Sequence, residues 1–239
     1  MRKNVHNSYI MNKAIKGNGI ILLVRRSHSA FAEQTAKEAA HDDTPFRPHP
    51  WRRWPRRVDR RPDLRGWRRF GHGRGPYDHI VTTAADLAFA PFPDLSDDAI
   101  EAMLRSKFRG PINLARAAGK HLAPQGSVLF FSGLAAYRQG PGSSIVGALN
   151  MALESLAAAL AIEMKPRRFN VISPGIVDSE TWAGMTGADR SAFFGQIAAG
   201  LPAGRVGTVE DEAHAALALL ENGFINGTVV NVDGGGRIA

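Results

Sequence analysis

Three polar side chains in this sequence could give or hold a proton beside a bound group. They are Lys107 in Ser106–Gly110 (SKFRG), Ser132 near the end of Ser127–Gly133 (SVLFFSG), and Tyr137 five residues further on. A lysine moved out of water loses part of its preference for the charged form, so Lys107 can act as an acid once its helix is desolvated. The competing reading is a solvated helix lysine. Ser132 follows a mostly apolar run and falls at the C-terminal edge of a strand, where open α/β sheets bind ligands; a serine that only ends the strand fits equally well. Tyr137, followed by the turn residues Gly140-Pro141-Gly142, reads as a loop aromatic first and an acid second. Val146 and Asn150 share one helix face at i, i+4 spacing. The chain has no cysteine, which excludes disulfides, a thiolate nucleophile and cysteine-ligated zinc. None of its eight histidines has metal-ligand spacing: His49, His72 and His79 flank an Arg-rich stretch, and His214 reads as a helix residue.

The elements that must position these residues are legible from Tyr77 onward. Asp78 to Thr83 is a strand, and Ser96, followed by Asp97 and Asp98, caps a helix running past Lys107. Ser127 to Phe131 is apolar enough for a strand covered on both faces. A helix starts near Ser143 and Ser144 with Leu149, Leu153, Leu156 and Leu160 at helical spacing, a stripe that reads as core or subunit contact. Phe169 to Ile172 is a strand ended by Ser173-Pro174-Gly175. Thr208 and Asp211 fit a capping box for the last helix, Asn222-Gly223 ends it, and Thr228 to Val232 is the final strand. Earlier in the chain, Ile20 to Val24 reads as a buried strand and Ala32 to Ala40 as a helix. Length and composition agree with one α/β domain, residues 1–239.

Charge is unevenly spread. Phe46 to Pro76 holds eleven arginines against Asp59 and Asp63, a balance of +9 in a chain whose formal charge is +8. Trp51, Trp54 and Trp67 are there too, with five prolines. Arginine interleaved with tryptophan suits phosphates and bases, but the stretch has no helical or alternating period, which argues for a solvated basic loop and against nucleic acid. The apolar run Gly19 to Val24 is cut by Arg25 and Arg26, so no membrane span is expected. The basic start lacks a cleavage site of the secretory kind, and a cytoplasmic location is the expectation.

Five ordered segments resemble the short-chain dehydrogenase/reductase family: Asp78–Ala85 (DHIVTTAA), Ser127–Gly133, Arg168–Ser179 (RFNVISPGIVDS), Gly204–Ala213 (GRVGTVEDEA) and Ile225–Gly235 (INGTVVNVDGG). The resemblance implies a doubly wound, mostly parallel Rossmann-like sheet, and NAD(P)-dependent hydride transfer on a small alcohol or carbonyl substrate by a homo-oligomeric enzyme. It assigns Ser132 to the family's catalytic serine. Val146 and Asn150 stand where the family keeps its proton-giving tyrosine and its lysine, and Lys107 stands where it keeps a helix asparagine. Lys107 and Asn150 thus read as a pair exchanged between facing helices. The cofactor side falls on Arg26, Ala30 and Ala32 at the family's glycine positions, on Ala84 beside the adenosine, and on Pro174, Gly175, Ile176 and Ser179 around the nicotinamide. Side chains where backbone and pyrophosphate should nearly touch imply weak binding of NAD or NADP. Two other readings stay open: a noncatalytic remnant or scaffold, and an Arg/Trp-rich nucleic-acid binder.

The 76 residues before Tyr77 leave room for three strands and their crossover helices, but their composition is that of G+C-rich codons read out of frame. Residues 1–76 are therefore read as a degenerate dinucleotide-binding half. Two outcomes are expected. An alternative frame of the coding sequence over Phe46 to Pro76 encodes strand and helix periodicity joining at Tyr77, which inspection of both frames checks. Calorimetry gives NAD(H) and NADP(H) dissociation constants no tighter than high micromolar, on the order of −5 to −6 kcal/mol.

Overall fold

A mostly parallel sheet is the frame for the candidate side chains that the structure describes. The computed structural model describes residues 9–16, 19–26 and 76–239, and the helix expected over Ala32–Ala40 lies outside them, as does the Arg-rich stretch apart from Pro76. The strands are β1 (Tyr9–Lys16), β2 (Gly19–Arg26), β3 (Tyr77–Thr82), β4 (Leu122–Phe131), β5 (Arg168–Pro174), β6 (Val177–Asp178), β7 (Gly207–Thr208) and β8 (Val229–Val232). Six of them form one sheet in the order β1-β2-β3-β4-β5-β8, and β6 pairs with β7 apart from it. From β3 to β8 all pairs are parallel.

The Rossmann-like α/β sheet is as expected, and its first two strands differ from the rest only in running antiparallel. Ile20 to Val24 does lie in a strand beside β3, but antiparallel to it, with Leu23 opposite Ile80. β1 is antiparallel to β2, with Lys16 opposite Gly19. Only Gly17 and Asn18 separate those two strands, and so short a connection admits a hairpin and no crossover.

The helices are α1 (Asp97–Met103), α2 (Gly110–His121), α3 (Ser144–Glu163), α4 (Gly187–Gly200) and α5 (Val209–Glu221). Ser96 caps α1 as expected, its hydroxyl accepting from the Ala99 N–H. Thr208 and Asp211 form the full capping box of α5, and Asn222 ends that helix. α2 and α3 cover one sheet face, where Leu114, Ala118, Leu153 and Ala157 pack on Ile80, Val128, Phe130, Phe169 and Val171. α5 covers the other, with Leu219 and Leu220 against Val81, Leu129 and Ile172. Arg168 ties α5 to the sheet by donating to the carbonyls of Leu219, Leu220 and Ile225.

The Leu149–Leu153–Leu156–Leu160 stripe is core: the first two are buried, and the other two pack against the same cluster. By length and composition α3 could cross a membrane, which the reading of apolar runs did not register. Its packing against the sheet and its buried Asn150 and Glu154 make it a core helix here.

The helix expected to run unbroken from Ser96 past Lys107 instead widens to a π turn over Leu104–Arg109, where the Gly110 N–H bonds to the Arg105 carbonyl five residues back. Pro111 explains the widening. It has no N–H, and its ring would collide with the carbonyl four residues earlier, that of Lys107. Gly147 sets a second close approach: a Cβ there would stand 2.5 Å from the Ala135 carbonyl oxygen, so only glycine lets α3 lie against the turn Leu134–Ala136. Leu153 is 1% exposed. Leu153→Ala is expected to cost about 2–5 kcal/mol in urea unfolding, while Met151→Ala, on the exposed side of the same helix, changes stability by less than about 0.5 kcal/mol.

Candidate active site

Burial of a lone cation defines the centre of the site. Lys107 projects from the π turn and is only 6% exposed. Its Nζ donates to the Ser132 carbonyl at 3.0 Å, and among the described residues no carboxylate pairs with it. Desolvation brings its pKa down to about 8. The solvated-lysine reading therefore fails, and the ammonium can release a proton close to neutrality.

Ser132 is at the exit of β4, where its N–H bonds to the Ile172 carbonyl of β5 at 2.8 Å. Its hydroxyl donates to Glu154 Oε1 at 2.6 Å, with the Ile172 carbonyl a distant second at 3.4 Å. A short bond to a carboxylate is roughly twice as strong as one to a neutral acceptor, so the proton points to Glu154. The other oxygen, Oε2, accepts from the Tyr137 phenol at 2.5 Å. Burial first, then the hydrogen bond and charge of Glu154, push that phenol up to about 12. Tyr137 is thus not merely a loop aromatic. Sequence reasoning missed Glu154 altogether, though it follows Val146 and Asn150 at the same four-residue spacing and so lies on their helix face.

Asn150 is 2% exposed, and its Nδ2 donates to the Gly133 carbonyl at 3.3 Å while Oδ1 has no donor. Lys107 and Asn150 therefore meet consecutive carbonyls, of Ser132 and Gly133, from two different helical segments. Val146 is buried with Met103 and Leu149, so the tyrosine position is filled by core.

The cofactor-side residues are only partly brought together. Arg26 ends β2, and Ala30 and Ala32 lie outside the described residues. Pro174 ends β5, the Gly175 N–H bonds to the Val232 carbonyl, and Ile176 accepts from the Gly207 N–H. A Cβ at Gly175 would stand 2.7 Å from the Asp233 Cα, which explains that glycine by packing between β5 and the end of β8. Ser179 precedes a turn over Glu180–Trp182, and its carbonyl accepts from Arg190. The Ala84 N–H bonds to the Thr82 hydroxyl just past β3.

The chain belongs to the short-chain dehydrogenase/reductase family. Residues 69–236 match the family described as enoyl-(acyl carrier protein) reductase. The chain is 31% identical over 165 residues to short-chain dehydrogenase/reductase fsr5 of Gibberella fujikuroi, covering 67% of this chain and 62% of that protein. It is 29% identical over 165 residues to carbonyl reductase family member 4 of Xenopus laevis, covering 67% of each. Among solved structures, a small-chain dehydrogenase in complex with NADPH superimposes with a TM-score of 0.66 at 31% identity, over 69% of this chain and 76% of that one. The MalC reductase/Diels-Alderase from Malbranchea aurantiaca gives 0.65 at 29% identity, over 69% and 64%. The chain spans less than two thirds of the length of fsr5 and of the curated MalC sequence, 62% and 63% respectively.

A second buried ionisable group was also missed. Glu212, in the first turn of α5, is 9% exposed and neither carboxylate oxygen has a partner. Burial, and then the charges of Asp211 and Asp233, push it up to about 8. Between its ordinary 4.5 and about 8 the folded chain keeps a proton that the unfolded chain releases, so stability falls as pH rises through that window. For Lys107 the sign reverses. Between about 8 and 10.5 the unfolded chain holds a proton that the folded chain has lost, and stability rises with pH. Urea unfolding should therefore show a shallow minimum near pH 8. Glu212→Gln is expected to remove the acid limb and Lys107→Met the alkaline limb.

Proposed function

We propose that this chain is an NAD(P)-dependent oxidoreductase that interconverts a small carbonyl compound and its alcohol, with Lys107 rather than a tyrosine giving the proton. The observation that carries this reading is the burial of Lys107 with no carboxylate partner among the described residues. A buried unpaired cation is costly to the fold, and such costs concentrate where chemistry needs a shifted pKa. One N–H of Lys107 is held by the Ser132 carbonyl, leaving two of its three donors for a developing alkoxide. Asn150 Oδ1, buried without a donor, fits a ribose hydroxyl, and Pro174, Gly175, Ile176 and Ser179 would line the nicotinamide. NAD or NADP, when bound, supplies or accepts the hydride. The exposed Met151 and Ile162 of α3 suit a second copy of the chain.

General acid catalysis typically contributes ~10²–10⁴-fold. Lys107→Met is therefore expected to lower NAD(P)H-dependent reduction of small ketones by about that factor, with thermal unfolding no lower than the parent's. Reduction by the parent should fall as pH rises through about 8, where Lys107 gives up its proton. Equal turnover in the parent and Lys107→Met would refute the role given to Lys107. No turnover in the parent, with activity appearing in Val146→Tyr/Asn150→Lys, would identify the chain as a noncatalytic remnant.

A further inference from the structure

Glu154 is 6% exposed, and its two oxygens are each taken by a hydroxyl, Ser132 at 2.6 Å and Tyr137 at 2.5 Å. A carboxylate only accepts, and a hydroxyl has a single proton. Both hydroxyls are therefore fixed as donors toward Glu154. Neither can swing its proton elsewhere without leaving a buried carboxylate oxygen unpaired, which costs more than an ordinary hydrogen bond returns. Ser132 Oγ consequently has lone pairs, and no hydrogen, to offer a bound molecule. A serine that polarises a carbonyl must donate, so this one is turned the wrong way for that task.

The donor comes instead from Lys107, whose Nζ is 3.0 Å from the carbonyl oxygen of the same Ser132. The donor is thus bonded to the backbone of the same residue that carries the acceptor. A carbonyl with a hydroxyl on the next carbon carries the matching acceptor and donor. We propose that Glu154 is a positioning residue that holds Ser132 as a hydrogen-bond acceptor, and that the site thereby selects α-hydroxycarbonyl compounds, with vicinal diols as their reduced partners. The assignment rests on the oxidoreductase reading above. In the reductive direction the cofactor's hydride forms the new C–H bond, the carbonyl oxygen takes a proton from Lys107 Nζ, and NAD(P)⁺ and the diol leave; Lys107 regains its proton from water. The substrate's own hydroxyl remains intact and bonds to Ser132 Oγ.

The test compares kcat/KM for 1-hydroxy-2-butanone and 2-butanone with NADPH and NADH, alongside an ultraviolet titration of the tyrosines. The chain has only Tyr9, Tyr77 and Tyr137, and Tyr137→Phe assigns the last step. In the parent the hydroxyketone should be preferred on the order of ten-fold, the value of one well-made hydrogen bond. Tyr137 should ionise at about 12. Glu154→Leu should bring the ratio toward one and Tyr137 toward its ordinary 10.0; Glu154→Met, similar in length and without a strong acceptor, serves if the leucine variant does not fold. A parent ratio near one, or a ratio that survives in a folded Glu154 variant, overturns the substrate assignment and leaves the oxidoreductase reading standing. Turnover of neither ketone overturns both. A Tyr137 step near 10 in the parent overturns the role of Glu154 whatever the turnover.

Discussion

Ser132 is held at every polar atom it has. Its N–H goes to β5, its carbonyl takes the buried Lys107, and its hydroxyl goes to Glu154 on α3. Three elements far apart in sequence are thereby fastened to the residue that follows one central strand. That residue's position is set in turn by the β4–β5 pairing, which runs in register from Ser127 opposite Arg168 to Phe131 opposite Ile172. A shift of one residue would send Ser132 to the other sheet face and bring Phe131 beneath α3, so core packing and site geometry are one constraint. Phe130 on the α3 side and Phe131 on the α5 side show how strictly the alternation is used.

What was legible in the sequence was whatever periodicity and capping dictate locally. The leucine stripe of α3, the Ser96 cap and the Thr208–Asp211 box needed only neighbours a few residues away. Lys107 and Asn150 stand out through the family resemblance alone, and each bonds to a carbonyl of the Ser132–Gly133 segment. Glu154 could not be told from an ordinary solvated glutamate, since its two partners approach from a strand end and a turn 22 and 17 residues earlier. Glu212 was hidden for the opposite reason. In the first turn of a helix a glutamate is expected to sit in water near the helix dipole, and nothing local announces that tertiary packing covers it. The direction of β2 was equally out of reach, because local propensity marks a strand without saying which way it runs.

Two ionisable groups of opposite sign are buried without an oppositely charged partner among the described residues, one on each side of the sheet. Lys107 lies on the α3 side and Glu212 on the α5 helix. Each costs the fold stability in its charged form. Their separation means that neither compensates the other by direct pairing. The chain tolerates that cost on top of a core whose central residues, Phe130, Phe169, Val128 and Ile172, are wholly out of water.

The π turn at Leu104–Arg109 has a geometric effect on the whole α1–α2 arm. One extra residue in a single turn advances every later side chain by about 100° around the axis. Before the turn, Met103 points into the cluster with Val146 and Leu149; after it, Leu114, Ala115 and Ala118 face the sheet core. A continuous α-helix has one apolar sector and could serve only one of these. The added residue works as a phase shifter, letting a single rod address two separate surfaces, with Lys107 in the changeover between them.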